Sequence, residues 1–306
     1  MTYDLIIVGS GPAGMSAALY AIRQNLRFIM IAKEVGGLAN LVPTLKSYLG
    51  YPYVTGFDLI DKFKGHLSQY RVDIKDEHVT KIEKSKGMFI VHTDRGFHRS
   101  ATVIVATGRR FRHLGIPGEK ALLNKGVSDC TVCDGPMFKN KTVAVVGGGR
   151  TGLFASLFLL KIARKIYIIE QSAHVKTEGG MRQYADILKH NKKVTILTNT
   201  KPLEIHGNGF VKELAVKKNN KTQRISLQGV FVEIGYQPNT DFVHGFVRCN
   251  SRKEIIIDPE CRTNVSGLFA AGDVTNVREK QVVVSVGEGA KAALSAVLYL
   301  EQRVKK

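Results

Sequence analysis

No tryptophan occurs in the 306 residues, and cysteine is held to four: Cys130, Cys133, Cys249 and Cys261. So few cysteines exclude a disulfide-stapled scaffold, and in a reducing compartment a paired thiol is more often catalytic than structural. Acidic residues are scarce too, 26 Asp+Glu against 45 Lys+Arg, for a formal net charge of +19. Long apolar runs are missing: "GLFASLFLL" (152–160) stops at Lys161, short of the about 20 residues a membrane span needs. The strand-like "YDLIIVG" (3–9) begins at once, with no room for a secretory signal before it, so a soluble, cytoplasmic protein without membrane association is expected. With 44% hydrophobic residues and no biased tracts, the chain is long enough for two ordinary domains, each with its own core.

The positive charge is unevenly spread. Residues 139–228 hold 17 Lys/Arg and 5 Asp/Glu, so twelve of the nineteen excess charges lie mid-chain. Two readings stay open, a solvated basic surface that favours solubility and a surface for an acidic protein partner. Nucleic acid is not expected as a partner, because the chain has no zinc finger, no RNP-type motif and no interleaved run of aromatic and basic residues.

What is present is one device twice. "DLIIVGSGPAGMSAALYAIR" (4–23) and "TVAVVGGGRTGLFASLFLLK" (142–161) share a grammar: an apolar, β-branched run, then G-x-G-x-x-G, then an apolar segment of helical character. The glycines are Gly9, Gly11 and Gly14 in the first copy and Gly147, Gly149 and Gly152 in the second. The first turns the chain, the second lets a pyrophosphate approach the backbone, and the third lets helix and strand pack closely. Two copies in that context predict two dinucleotide sites. Counting 23 residues from the first glycine reaches Glu170 in copy two but Ala32 in copy one, with Glu34 two residues on. A carboxylate at 170 is placed to accept both ribose hydroxyls of an adenosine, which favours NAD over NADP; the bland alternative is an exposed strand-end carboxylate.

"ATVIVATGRR" (101–110), "GLFAAGDV" (267–274) and "VFVEIGYQPNT" (230–240) each run from a strand into small residues, the last with a turn signal at Gln237-Pro238-Asn239. The Gly/Pro-rich stretches "GIPGE" (115–119) and "GYQPNTD" (235–241) read as seams. The fold class expected is α/β, with two Rossmann-like three-layer dinucleotide-binding domains, the second inserted into the first. Residues 1–114 and 242–306 would form one domain and 115–241 the other.

"SDCTVCDGPMF" (128–138) holds the C-x-x-C pair Cys130 and Cys133. A zinc site needs a second ligand pair at metal spacing; Cys249 and Cys261 are twelve apart and no two histidines make an H-x-x-x-H pair, so no metal is expected. A staple closing so short a loop would remove little unfolded-state entropy. A redox pair fits best, since each sulfur can resolve a mixed disulfide formed by the other. "DGPMF" after Cys133 is read as the start of a helix whose N-terminus would favour a thiolate. Asp134 is placed to relay a proton to the leaving thiolate.

The order of these motifs resembles the low-molecular-weight thioredoxin reductase family along essentially the whole chain. It is also similar to the C-terminal module of the alkyl hydroperoxide reductase flavoprotein subunit, most visibly in "EKQVVVSVGEGAKAALSA" (279–296). The resemblance implies FAD on the first unit, held by Gly9, Gly11, Pro12, Ala13, Gly14, Gly36, Gly37, Leu38, Asn40, Val79, Ala106, Thr107, Gly108 and Gly272. Asp273 would meet the ribityl chain, and Gln281 and Val282 would lie near the isoalloxazine ring. It implies Cys133 facing the flavin, Cys130 attacking a protein disulfide and Asp134 as acid, with the middle domain rotating as a unit, in a homodimer. A possible NAD site would use Gly147, Gly149, Arg150, Thr151, Gly152, Glu170 and Gly235.

The sequence also departs from the family. The stretch that carries adjacent arginines for a 2′-phosphate in NADPH-using members reads "EQSAHVKT" (170–177), with Gln171 and Ser172 in their place. Arg150 and Phe154 replace polar or acidic residues near the nicotinamide path, and Leu38 replaces a glutamine. The donor expected is therefore NADH first, ferredoxin second and NADPH last; a ferredoxin would suit the basic middle segment through steering. The expected function is an FAD-dependent reductase of thioredoxin or a thioredoxin-like protein. The alternatives are a flavin-dependent ferredoxin/NAD(P) reductase and a non-catalytic basic binding protein that retains the fold.

Overall fold

The structure is a computed structural model that describes residues 2–176 and 180–304. Thr177, the last residue of "EQSAHVKT", lies outside the described residues. The chain forms two compact units, one from residues 1–110 and 237–306 and the other from 111–236.

The first unit opens with β1 (Thr2–Ser10), α1 (Pro12–Arg23) and β2 (Phe28–Val35). α2 (Gly56–Ser68), β3 (Ile74–Lys75), β4 (Val79–Ser85), β5 (Met88–Thr93) and β6 (Gly96–Val105) follow, and the short β7 (Arg109–Phe111) carries the chain out. In β1 successive residues serve opposite faces: Leu5 and Ile7 belong to one core cluster, Ile6 and Val8 to another. A strand buried on both sides needs the unbroken apolar run its sequence has, because each face is covered.

The inserted unit comprises β8 (Val127–Ser128), α3 (Thr131–Asp134), β9 (Thr142–Val146), α4 (Arg150–Leu160), β10 (Lys165–Ile169), α5 (Arg182–Lys189) and β11 (Val194–Leu197). After them come β12 (Thr200–Asn208), β13 (Phe210–Lys218), β14 (Lys221–Ser226) and β15 (Gly229–Val232), and β16 (Tyr236–Pro238) carries the chain back into the first unit. Its parallel sheet runs β11-β10-β9-β15-β8, beside an antiparallel meander β12-β13-β14. β9 repeats the arrangement of β1: Val143 and Val145 face one core, Ala144 and Val146 the other.

On its return the chain adds β17 (Leu268–Ala270) and α6 (Val282–Val304) to the first unit. The sheet there runs β3-β2-β1-β6-β5-β4, and the ten residues of β6 serve two neighbours on one edge. Phe97–Ser100 pair antiparallel with β5, and Val103–Val105 pair parallel with β17. α1 and α6 approach closely because both present small residues, Ala13, Ala17, Ala18 and Ala21 against Ala292, Ala293 and Ala296. A Cβ at Gly289 would stand 2.0 Å from the Ala13 carbonyl oxygen.

Three expectations change. First, the units divide at 110/111 and 236/237, the first ahead of "GIPGE" and the second inside "GYQPNTD", rather than at 114/115 and 241/242. Arg112 N–H donates to the Gly235 carbonyl at 3.0 Å and the Phe111 and Tyr236 rings stand 5.2 Å apart, so residues 111–114 belong with the insert. Arg110 bonds Asn239 and Asp241, which keeps 237–241 with the first unit. Second, Gln237 and Pro238 lie in a strand, β16, that pairs with β7, where a turn was expected. Third, α6 is long and apolar enough, by length and composition, to cross a membrane, unlike any run singled out in the sequence. Its alanine face is buried against α1 as a core helix.

Candidate functional site

In the first glycine loop Gly9 has a φ of +104°, and a Cβ there would stand 2.4 Å from the Ala106 carbonyl oxygen. A Cβ at Gly14 would stand 2.0 Å from the Gly9 carbonyl oxygen, so only glycine lets α1 start this close to β1. Pro12 opens α1, where its missing N–H costs nothing. Gly36, at the end of β2, bonds Ser10 through its N–H at 2.8 Å, bringing a second glycine pair against the first. Around Gly11 and Gly37 the nearest atoms to an added Cβ are 3.9 Å away. The result is a cradle of bare backbone.

Several other expected FAD residues fall within the same unit. Asn40 Nδ2 donates to the Val35 carbonyl at 2.7 Å, and its Oδ1 is buried without a hydrogen-bond partner. Leu38 is half-buried in the turn over Gly37–Leu41, and Val79 is buried at the start of β4. Thr107 and Asn239 clasp each other: Thr107 Oγ1 donates to the Asn239 carbonyl and Asn239 Nδ2 to the Thr107 carbonyl, both at 2.8 Å. Gly108 follows with a φ of +62° and open space beside it. Gln281 is exposed, and Val282 begins α6. An unpartnered buried acceptor beside an open glycine cradle fits a bound dinucleotide such as FAD.

Asp273 is not alone. Arg109 grips its Oδ2 through Nε at 3.0 Å and Nη2 at 2.7 Å. Behind it Glu288, buried, accepts the Gly272 N–H at 2.6 Å and fixes the turn that carries Asp273. Burial pushes the Glu288 carboxyl up, against the Gly272 N–H and Lys280, which pull it down. Lys280 donates to the carbonyls of Asp273 and Thr275 and pairs with the buried Glu254 at 3.4 Å; burial holds its ammonium below the usual lysine range. None of Arg109, Lys280, Glu254 or Glu288 was singled out in the sequence. For Glu288 the readable signal was a charge inside an apolar helix, as in "VVVSVGEGAKAAL" (282–294).

In the inserted unit Cys130 and Cys133 are joined in a disulfide. The helix begins earlier than expected, with Cys130 as its cap and Thr131 as its first residue rather than after Cys133. In consequence the Cys133 N–H points at Cys130 Sγ, 3.3 Å away. Ser128 Oγ accepts the Cys130 N–H at 3.1 Å and fixes the approach. Cys133 is exposed, Cys130 and Asp134 are half-buried, and the Asp134 N–H donates to the Cys130 carbonyl. Thr131, between the cysteines, donates its hydroxyl to Glu233 Oε1 at 2.7 Å. Cys249 and Cys261 are free, and among the described residues no His/Cys/Asp/Glu group could hold a metal ion.

The second glycine loop repeats the first: Gly147 has a φ of +118°, and a Cβ at Gly152 would stand 1.8 Å from the Gly147 carbonyl oxygen. Glu170 lies just past β10, buried rather than exposed; it accepts the Gly148 N–H at 2.6 Å and the Ser172 N–H at 2.7 Å. Burial works to raise its carboxyl, and the Ser172 and Gly148 donors overcome that and hold it below its ordinary value. Thr151 Oγ1 donates to the Glu233 carbonyl, Arg150 lies over the Phe154 ring, and Gly235 has a φ of +91° with open space beside it. The turn after β10 folds back on the loop: Lys176 N–H donates to the Gly148 carbonyl at 2.9 Å. A Cβ at Gly148 would meet Glu170 Oε2 and Val175 Cγ1, each at 2.8 Å.

Residues 3–289 match the model of the pyridine nucleotide-disulphide oxidoreductase family. The chain belongs to that family. It superposes on thioredoxin reductase from Lactococcus lactis with a TM-score of 0.85 and 30% identity, covering 98% of this chain and 99% of that one. A ferredoxin-flavin thioredoxin reductase from Clostridium acetobutylicum is 30% identical over the whole of both chains, with a TM-score of 0.57. The F subunit of alkyl hydroperoxide reductase from Staphylococcus aureus is 39% identical over 302 residues, 97% of this chain and 59% of that protein. The chain thus spans about three fifths of the curated relatives it matches. This member of the family is an oxidoreductase with the thioredoxin reductase-like flavoprotein fold, Rossmann-like sheets and a C-x-x-C disulfide at Cys130–Cys133.

Proposed function

We propose that this family member is an FAD-dependent reductase of thioredoxin or a thioredoxin-like protein. The observation that carries the reading is the Cys130–Cys133 disulfide in a unit that also holds a dinucleotide-type glycine loop. FAD would be held on Gly9, Gly11, Pro12, Ala13 and Gly14, with Gly36, Gly37, Asn40, Thr107, Gly108 and Asp273 around it, and when bound it supplies the electron pair. The chain's own residues do the rest. Once the disulfide opens, the Cys133 N–H at 3.3 Å stabilises negative charge on Cys130 Sγ. Cys130 attacks the partner's disulfide, Cys133 resolves the mixed disulfide, and Asp134 supplies a proton to the leaving sulfur. Replacing Cys130 with Ser is expected to abolish disulfide reduction and leave flavin absorbance unchanged; retained activity would refute the assignment.

NADH is the first donor in this proposal, supported by Glu170 at the end of β10 and by Gln171 and Ser172 in place of paired arginines. A ferredoxin is the second. It is favoured by the excess of twelve positive charges over residues 139–228 and by Val175 and Lys176 lying on Gly148. NADPH comes last. Anaerobic titration of the bound flavin with each donor separates the three. Bleaching by NADPH but not NADH would overturn the reading of Glu170. The proposal also takes the protein as a cytoplasmic homodimer, which light scattering of the purified chain checks.

A further inference from the structure

The chemistry above uses Cys130, Cys133 and Asp134, and leaves unused a carboxyl group that reaches the same turn. Glu233 follows the last residue of β15 and is half-buried. Its Oε1 accepts the Thr131 hydroxyl at 2.7 Å, and Thr131 is buried between the two cysteines. The backbone carbonyl of Glu233 accepts Thr151 Oγ1 at 3.1 Å, and a Cβ at Gly147 would stand 2.3 Å from that oxygen. One residue therefore ties the sulfur-bearing turn to the second glycine loop.

The charges around it are mostly of one sign. Asp129, which precedes Cys130, interacts with Glu233; Asp129 in turn meets Glu119, Asp134 and His113, whose Nδ1 is 3.8 Å from Asp129 Oδ2. Asp129 Oδ1 is buried without a hydrogen-bond partner. His113 Nδ1 also lies 3.9 Å from Glu119 Oε1, so one imidazole serves Asp129 and Glu119 while Glu233 and Asp134 add further carboxyl groups around Asp129. Neighbouring carboxyl groups raise one another's cost of ionising. Burial raises Glu233, reinforced by Asp129 and opposed by the Thr131 and Thr151 hydroxyls; burial likewise raises Asp129, with His113 opposing.

We infer that Glu233 is a positioning residue for the dithiol: it holds a proton beside the Cys130–Cys133 turn and, through the Thr131 hydroxyl, couples that proton to the state of the sulfurs. The inference rests on the proposal that the pair cycles. When an electron pair opens the S–S bond, two sulfur anions result, and one takes a proton to become a thiol. The remaining Cys130 thiolate forms a new S–S bond to the partner, breaking the partner's disulfide, and the departing sulfur takes a proton. Cys133 then loses its proton, reforms the internal disulfide and expels the second partner sulfur, which is protonated in turn. The net transfer is two electrons and two protons. Negative charge on the turn during this cycle keeps Glu233 protonated, and reoxidation relaxes it.

The test needs neither flavin donor nor protein substrate. The fully reduced protein is alkylated with iodoacetamide under anaerobic conditions across the pH range, and the rate at Cys130 is followed. The parent is expected to rise in two steps, Glu233 and the thiol being coupled by about one pK unit, about tenfold in thiolate population. Glu233→Gln, which can still accept from Thr131, is expected to give one step with an unchanged melting temperature. Thr131→Val is expected to behave the same way, and Thr131→Ser to restore both steps. A Glu233→Gln or Thr131→Val profile that overlays the parent overturns the inference. Failure to reduce a thioredoxin-like disulfide would instead count against the proposed function and leave this measurement standing.

Discussion

The Gly148 N–H donates to the Glu170 carboxylate at 2.6 Å, so the protein's own backbone joins the glycine loop to the strand-end acid. A ribose that binds there has to share the carboxylate's remaining lone pairs. Glu170→Ala is therefore expected to weaken NADH by about tenfold, about 1.4 kcal/mol, without improving NADPH. The concentration of NADH needed to bleach the flavin measures it. A variant that bleaches at the parent's concentration would remove Glu170 from the nucleotide site.

Two glycines three residues apart are expected to fail differently. At Gly14 an added methyl would collide with the Gly9 carbonyl oxygen, so Gly14→Ala is expected to cost about 1–3 kcal/mol of stability, the range for overpacking, read as a lowered melting temperature. At Gly11 the nearest atom to such a methyl is 3.9 Å away. Gly11→Ala is expected to keep the parent's melting temperature and lose flavin on gel filtration.

Thiol counting separates the four cysteines. In the oxidised native protein a disulfide-exchange reagent is expected to find Cys249 alone, slowly, because it is half-buried and burial raises its thiol. Cys261 is buried and pushed up to about 12 by that burial, with Glu288 adding to it. Reduction is expected to add Cys130 and Cys133 to the reactive set.

The same thiol gives an alkaline dependence of stability. The Cys261 thiol is raised on folding, so its contribution is complete below the unfolded value of about 8.5. It is lost as pH rises towards about 12, where the folded thiol ionises. Denaturant melts at rising pH are expected to show a shallower decline for Cys261→Ala than for the parent. Parallel declines would place the loss elsewhere.

Much of the fold was legible because its demands are local and steric. Each G-x-G-x-x-G lies between a run that must be buried on both faces and a helix that must start against the strand, and few residue types satisfy both. The C-x-x-C pair was legible for the same reason, its partners being three residues apart. The contacts that sequence did not disclose join distant residues. Arg109 and Asp273 are 164 residues apart and Thr131 and Glu233 are 102 apart, and no local pattern announces either pair. The helix start at Thr131 was misread for a related reason. The cap is Cys130 itself, whose sulfur takes the place of the oxygen that Ser, Thr, Asp or Asn supplies at most helix starts.

The two ends of the inserted unit meet: the Arg112 N–H reaches the Gly235 carbonyl at 3.0 Å, and the Phe111 and Tyr236 rings lie tilted against each other at 5.2 Å. A module whose entry and exit are neighbours can be cut from one chain and spliced into a surface turn of another without stretching either host or guest. By that logic residues 111–236 are a portable cassette, with its dithiol and its nucleotide-type loop travelling together, open to transplantation and to circular permutation.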